Sequence, residues 1–300
     1  MEDWEALVIG DACTDDTADR IAALGDPRIR FINLPARFGE QAGPNSVGSA
    51  LARAPVVAFL NHDDLWFPDH LARALDALNQ SRANLYWSRA AFFANRGAWS
   101  DRTFFTEVSP TERRLNDIYY KEFFYAEPLS TWVIRKDALD RLGPMKPASQ
   151  TPLFPLTDYT MRAARLGLQL QAGAEITVLK DRMLLPQPAY ANPGTYAEKW
   201  ARLFETGDAE RVRAEIERDI WLASALGLNR SFDAPPVGNC PANHATIEQQ
   251  TGLNLAQLNA LARGEKAALL TDILHHRTGD TLTDQPDLSE MIRFARDADQ

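Results

Sequence analysis

Residues 55–69 read PVVAFLNHDDLWFPD. The run PVVAFL has the length and apolar, β-branched character of a buried strand. It gives way to two adjacent carboxylates, Asp63 and Asp64, and then to DHLARALDAL, where Leu71, Leu75 and Leu78 share one helical face. In α/β sheets, ligands bind beyond the carboxyl ends of the strands, because the loops there form the crevice. Adjacent carboxylates repel one another, so they need bulk solvent or a cation. These residues alone leave two readings open. One is a turn and helix start, where Asp is common. The other is a site for a hard divalent cation, Mg2+ or Mn2+, that binds substrate phosphates in turn.

The upstream sequence repeats the alternation. WEALVIG (4–10) is expected as a strand, and DACTDDTADRIAALG as a loop and helix capped at Thr14 or Asp15 and closed by Gly25. RIRFINL (28–34) is another strand, PARFGEQAGPN a loop, and SVGSALARA (46–54) a short helix. Strands alternating with helices predict an α/β fold with a mostly parallel sheet flanked by helices. Downstream the chain turns aromatic, in NLYWSRAAFFA and DIYYKEFFYAEPL. STWVIRKDALDRLG (130–143) predicts a strand running into a helix ended by Gly143. LTDYTMRAARLG predicts a helix capped at Thr157 or Asp158 and stopped by Gly167, and QLQAGAEITVL a further strand. The proline-bearing LLPQPAYANPG marks a boundary near residue 190. A helical C-terminal extension over 191–300 follows. In it Val212, Ile216, Ile220 and Ala223 fall at helical spacing, and Arg211/Glu215 and Arg213/Glu217 can pair across a turn.

Three hundred residues with 45% hydrophobic and 24% charged side chains suit one or two soluble globular domains. A formal charge of −9 disfavours nucleic acid as a partner. Cys13 and Cys240 are distant and lack metal-type spacing, which points to a reducing, cytoplasmic setting. No apolar run nears the ~20 residues that span a bilayer, and the first residues do not have the pattern of a secretory signal. Peripheral association with a membrane is compatible with the sequence. His244, His275 and His276 are expected at the surface, and TGLNLAQLNALARGE is expected to pack or associate rather than to bind DNA.

Asp11 leaves the first strand at the edge that Asp63 occupies beyond PVVAFL, where a carboxylate can accept from a nucleobase N–H or a sugar hydroxyl. Asp15 and Asp16 fall in the first helical turn, where the helix dipole favours negative charge. Four stretches together carry a resemblance. WEALVIGDACTDDT resembles the strand and D-G-S-T-D-x-T loop of family 2 glycosyltransferases, and GPNSVGSALARAPVVAFLNHDD their helix, strand and D-x-D motif. STWVIRKDALDRLG and LTDYTMRAARLG resemble their acceptor-side strand and helix and their E-D motif. The resemblance covers roughly residues 4–180 and implies a GT-A (Rossmann-like) domain over 1–190.

It implies roles as well. Asp11 takes the position that contacts the nucleotide base, and Asp63 the last D-x-D position, the metal and diphosphate ligand. Asp64 would ligate or orient the donor ribose or sugar. Asp158 matches the general base that deprotonates the acceptor hydroxyl in inverting members. Asn45 and Gly48 match positions that shape the pocket wall. The implied partners are a nucleotide-sugar donor, most simply of the UDP type, and a sugar, glycan or lipid-linked acceptor. The sequence departs from the family at Asn61, where the first D-x-D carboxylate stands, and at Thr157, where the E-D motif has Glu. The family also begins with an apolar strand that has no counterpart here, so an inner strand is expected to be missing. These departures sustain a second reading, a catalytically impaired relative that binds a nucleotide or a protein.

Overall fold

A computed structural model describes residues 3–95, 103–108, 127–147, 150, 155–181, 196–225 and 285–299. The aromatic run at 117–126, the proline-bearing boundary, Cys240, the three histidines and the 251–265 segment lie outside them.

The first unit is β1 (Ala6–Gly10), α1 (Thr17–Ala23), β2 (Ile29–Asn33) and α2 (Ala42–Leu51). β1 and β2 pair in parallel and in register from Ala6↔Ile29 to Gly10↔Asn33, as a two-stranded sheet of their own. α1 begins at Thr17, later than expected: Asp15 accepts both the backbone N–H and the hydroxyl of Thr17 and so turns the chain into the helix. α2 begins earlier than expected, at Ala42, because Pro44 is tolerated in a first turn whose N–H groups have no intrahelical partner.

The second sheet takes β3 (Val56–Ala58), β4 (Asp64–Trp66), β5 (Leu85–Asn95), β6 (Thr103–Val108), β7 (Trp132–Arg135) and β8 (Leu170–Asp181). Its order is β3-β7-β5-β8-β4, with β6 added on β5. The α/β class holds, but the expected mostly parallel sheet is mixed. β7 runs antiparallel between β3 and β5, and β4 antiparallel to β8, while β5 and β8 pair in parallel. The reversal at β4 arises because LNHD is a tight turn: Asp64 N–H donates to Asn61 C=O at 3.2 Å, and the next three residues join the ladder. A stretch that reads as loop is therefore strand.

Helices α3 (His70–Gln80), α4 (Lys136–Leu142) and α5 (Pro155–Arg165) cover this sheet. α4 ends where expected, at Gly143, whose φ of +73° is the left-handed conformation that glycine adopts without steric cost. Leu78 of α3 is fully buried with Tyr86 and Val133. The main core gathers Trp87, Trp132 and Tyr159, with ring centroids 5.7 and 6.0 Å apart along the series.

The C-terminal helices are integral to these layers. α6 (Tyr196–Glu205) and α7 (Ala209–Ala225) bring Trp200, Val212 and Ile216 against Phe67, Phe93 and Leu179. α8 (Leu288–Ala298) lays Met291 and Ala295 on Ile32, Leu34, Val47 and Leu51 of the first unit. Arg211 pairs with Glu215 as its spacing suggests, whereas Arg213 pairs with Asp69 and Glu210 and lies over the Phe67 ring. Tertiary approach of α7 to the start of α3 supplies that stronger partner, Asp69, which takes Arg213 on both carboxylate oxygens. Among the described residues no helix is long and apolar enough to cross a membrane.

Candidate active site

Asp11 follows the carboxyl end of β1, where the alternation placed it. Its two oxygens accept the backbone N–H groups of Phe38 and Gly39, at 2.6 and 2.8 Å. One carboxylate thus fixes the loop between β2 and α2, each such charge-assisted bond contributing about 1.5–3 kcal/mol. From the other side Gln285, just before α8, donates to Phe38 C=O and to Glu40. The loop after Asp11 is tied in turn to β2: Asn33 accepts from Cys13 N–H and donates to Cys13 C=O, both at 2.8 Å. Ala12, between them, has φ +56°, a left-handed conformation rare for a residue with a Cβ. The sequence signal was present, since Ala12 occupies the glycine of D-G-S-T-D. The part played by Asn33 had no sequence signal.

Asn45 lies in the second turn of α2. Its carbonyl accepts the Ser49 hydroxyl, and its side-chain Nδ2 is buried with no hydrogen-bond partner among the described residues. Gly48 packs beside Ile9 of β1.

The turn after β3 separates the two carboxylates that sequence sets side by side. Asp63 is half-buried and makes no hydrogen bond or ion pair among the described residues, while Asp64 is buried and fully engaged. Asp64 Oδ2 accepts from the Ser130 hydroxyl at 2.5 Å and from the Asn61 amide at 3.3 Å. Asp64 Oδ1 accepts from Lys180 Nζ at 3.0 Å. Burial pushes the Asp64 carboxyl above its usual range, Lys180 pulls it back, and the like charge of Asp63 raises it again. Ser130 also receives Asn61 N–H, and its carbonyl accepts from Trp66 Nε1. Lys180 stands opposite Asp64 in the β4–β8 register, which the sequence, with 116 residues between them, could not disclose. His62 is exposed.

Asp158 sits inside the first turn of α5 instead of capping it, because the helix begins at Pro155. Its Oδ2 accepts from Arg162 Nε at 2.9 Å, and Arg162 also donates to the carbonyls of Leu142 and Pro144. Arg162 therefore fixes Asp158 against the end of α4. Thr157, beside it, belongs to the same turn.

Comparison with known proteins follows the same ground. Residues 1–143 match the family model described as Glycosyl transferase family 2. Among curated proteins, the chain is 36% identical over 91 residues to the succinoglycan biosynthesis protein ExoW of Rhizobium meliloti (strain 1021), covering 29% of this chain and 28% of that one. It is 33% identical over 81 residues to ExoO of the same organism, described likewise, covering 27% and 23%. The matched segments thus span about a quarter of those relatives' length. Among solved structures, S. aureus TarS 1–349 in complex with UDP-GlcNAc aligns over 99% of this chain and 82% of that one, at 14% identity and a TM-score of 0.48. The segment that holds Asp11, Asn45 and the Asp63–Asp64 turn, residues 1–143, is thus the part of the chain that matches the glycosyl transferase family 2 model.

Proposed function

We propose that this chain transfers a sugar from a nucleotide-diphosphate-sugar donor of the UDP type to an acceptor hydroxyl on a sugar, glycan or lipid-linked glycan, with inversion. The observation that carries the reading is Asp63: inside the segment that matches the family model, it is the carboxylate of the motif that no donor among the described residues engages, beside an Asp64 both of whose oxygens accept protein donors. Mg2+ is commonly held through one or two carboxylates plus substrate phosphates. The residues present fit a divalent cation, Mg2+ or Mn2+, on those terms, with Asp63 as the protein ligand. Such a cation would stabilise the charge that gathers on the departing diphosphate.

The chain's own groups do the rest. Asp11 and the Phe38–Gly39 loop it holds receive the base, and Asn45 Nδ2, a buried donor without an acceptor among the described residues, offers a hydrogen bond at the pocket wall. Asp158, with Oδ2 fixed by Arg162, accepts the proton of the acceptor hydroxyl on Oδ1. As that oxygen bonds to the anomeric carbon, the bond to the diphosphate oxygen breaks and its electron pair leaves with the nucleoside diphosphate. Attack from the face opposite the leaving group gives inversion.

The test is calorimetry with UDP, with and without Mn2+, followed by UDP release from a panel of UDP-sugars. Metal-dependent UDP binding is expected, as is a loss of turnover of about 100-fold or more in Asp158→Asn. Absence of binding to every nucleoside diphosphate would overturn the reading. Asn61 and Thr157, which stand where the family has carboxylates, favour a second reading, a relative that binds nucleotide without turnover. UDP binding with no release from any donor would select it.

A further inference from the structure

The motif turn offers two carboxylates in sequence and one in space. Asp64 has no exposed side-chain surface, and Lys180, a quarter exposed, lies directly across the strand pair from it. Resting on the donor-site reading above, we infer that Lys180 is a positioning residue of the donor site: it pins Asp64 into the wall with Ser130 and Asn61, so that Asp63 alone faces the cation. A ligand oxygen must direct a lone pair at its metal; Asp64 Oδ2 already receives two donors, from Ser130 and Asn61, and one of the two lone pairs of Oδ1 is taken by Lys180. A divalent ion on Asp64 Oδ1 would also have to displace an ammonium held at 3.0 Å, or sit beside it as a like charge.

The same bonds reach Asp63. Asn61 C=O accepts Asp64 N–H, and Asn61 N–H donates to the Ser130 hydroxyl that also holds Asp64, so the turn carrying Asp63 is braced on Asp64. Lys180 anchors the far end of that brace. It also reduces the formal charge of Asp63, Asp64 and Lys180 together from −2 to −1. One divalent ion then leaves a net positive site, which suits a diphosphate.

The experiment is calorimetric titration of Mn2+ into the full chain, with and without saturating UDP. Asp63→Asn is expected to weaken Mn2+ by about tenfold or more with the fold intact. Lys180→Arg should retain the parent affinity. Lys180→Met should tighten Mn2+ measured without UDP by about tenfold, because it releases Asp64 as a second carboxylate. The neutral pair Asp64→Asn with Lys180→Met should return affinity to within about threefold of the parent. A purely structural lysine would not tighten metal binding on removal. If the neutral pair loses Mn2+ as Asp63→Asn does, Asp64 is a ligand and the inference is overturned. Unchanged or weaker Mn2+ binding in a folded Lys180→Met also overturns it, and if that variant fails to fold, the neutral pair alone decides. Failure of every variant to bind UDP while the Mn2+ pattern holds would reject the glycosyltransferase reading and leave the pairing standing.

Discussion

Asn61 donates its side-chain amide to the same Asp64 oxygen that receives the Ser130 hydroxyl, at 3.3 and 2.5 Å respectively. The residue that departs from the family's D-x-D motif is thus matched to a buried carboxylate. An aspartate at 61 could not donate, and it would set two carboxylates against each other in a buried wall. Asn61→Asp, which restores the motif's letter, should lower stability by about 1–3 kcal/mol in metal-free buffer, read as the urea midpoint. An unchanged or higher midpoint would show that Asn61 is not tuned to Asp64.

Ala12 holds φ +56° in the loop that Asp11 and Asn33 fix. Such a conformation costs a non-glycine residue roughly 1–2 kcal/mol, while glycine gives back 0.5–1 in unfolded-chain entropy. Ala12→Gly should therefore stabilise the protein by about 0.5–1 kcal/mol in denaturant melts. A loss of stability would contradict the strain.

His70 starts α3 fully inside the protein, with Nδ1 2.7 Å from the Thr177 hydroxyl, its ring stacked on Trp66, and Nε2 without a partner among the described residues. Burial lowers its pKa from 6.5 to about 4. The unfolded chain then binds the proton that the fold refuses, so this contribution is complete above pH ~6.5 and is lost as pH falls from there towards 4. The integrated loss is roughly 3 kcal/mol. Unfolding free energies at pH 7 and pH 4.5 should show a shallower fall in His70→Gln than in the parent, even where the variant is weaker at pH 7. Equal slopes would remove His70 from the acid response.

Met291 of α8 is buried on Ile32, Leu34, Val47 and Leu51, and Asp299 beyond it pairs with Arg30 and Arg53. Met291→Ala should cost about 2–3 kcal/mol. Hydrogen exchange should quicken first in β1 and β2, and UDP binding should weaken, since the same C-terminal segment holds Phe38 and Glu40 through Gln285. Loss of protection spread evenly over both sheets would show that α8 is not specific to the first unit.

The placement of much of the candidate site could be read from residue order. Asp11 and Asp63 stand just beyond apolar runs that become β1 and β3, because a buried strand must end where a polar loop begins. Gly143 and Gly167 end α4 and α5 as expected, each with positive φ. What local pattern could not supply was direction and partnership. PVVAFL announces a strand but not that β7 runs antiparallel beside it, and DLW follows a turn too short to announce β4.

The sequence by itself supplied the candidates, Asp11, Asn45, Asp63, Asp64 and Asp158, each beyond an apolar strand run or in the first turns of a helix. Only the tertiary structure decided which carboxylates are already engaged. Asp11 holds two backbone amides, Asp158 is steered by Arg162, and Asp64 is held by Ser130, Asn61 and Lys180, while Asp63 has no donor among the described residues. The reason is physical. A residue's charge is local, but the donor that satisfies it comes from whichever strand or helix the fold brings alongside, here from as far as 116 residues away.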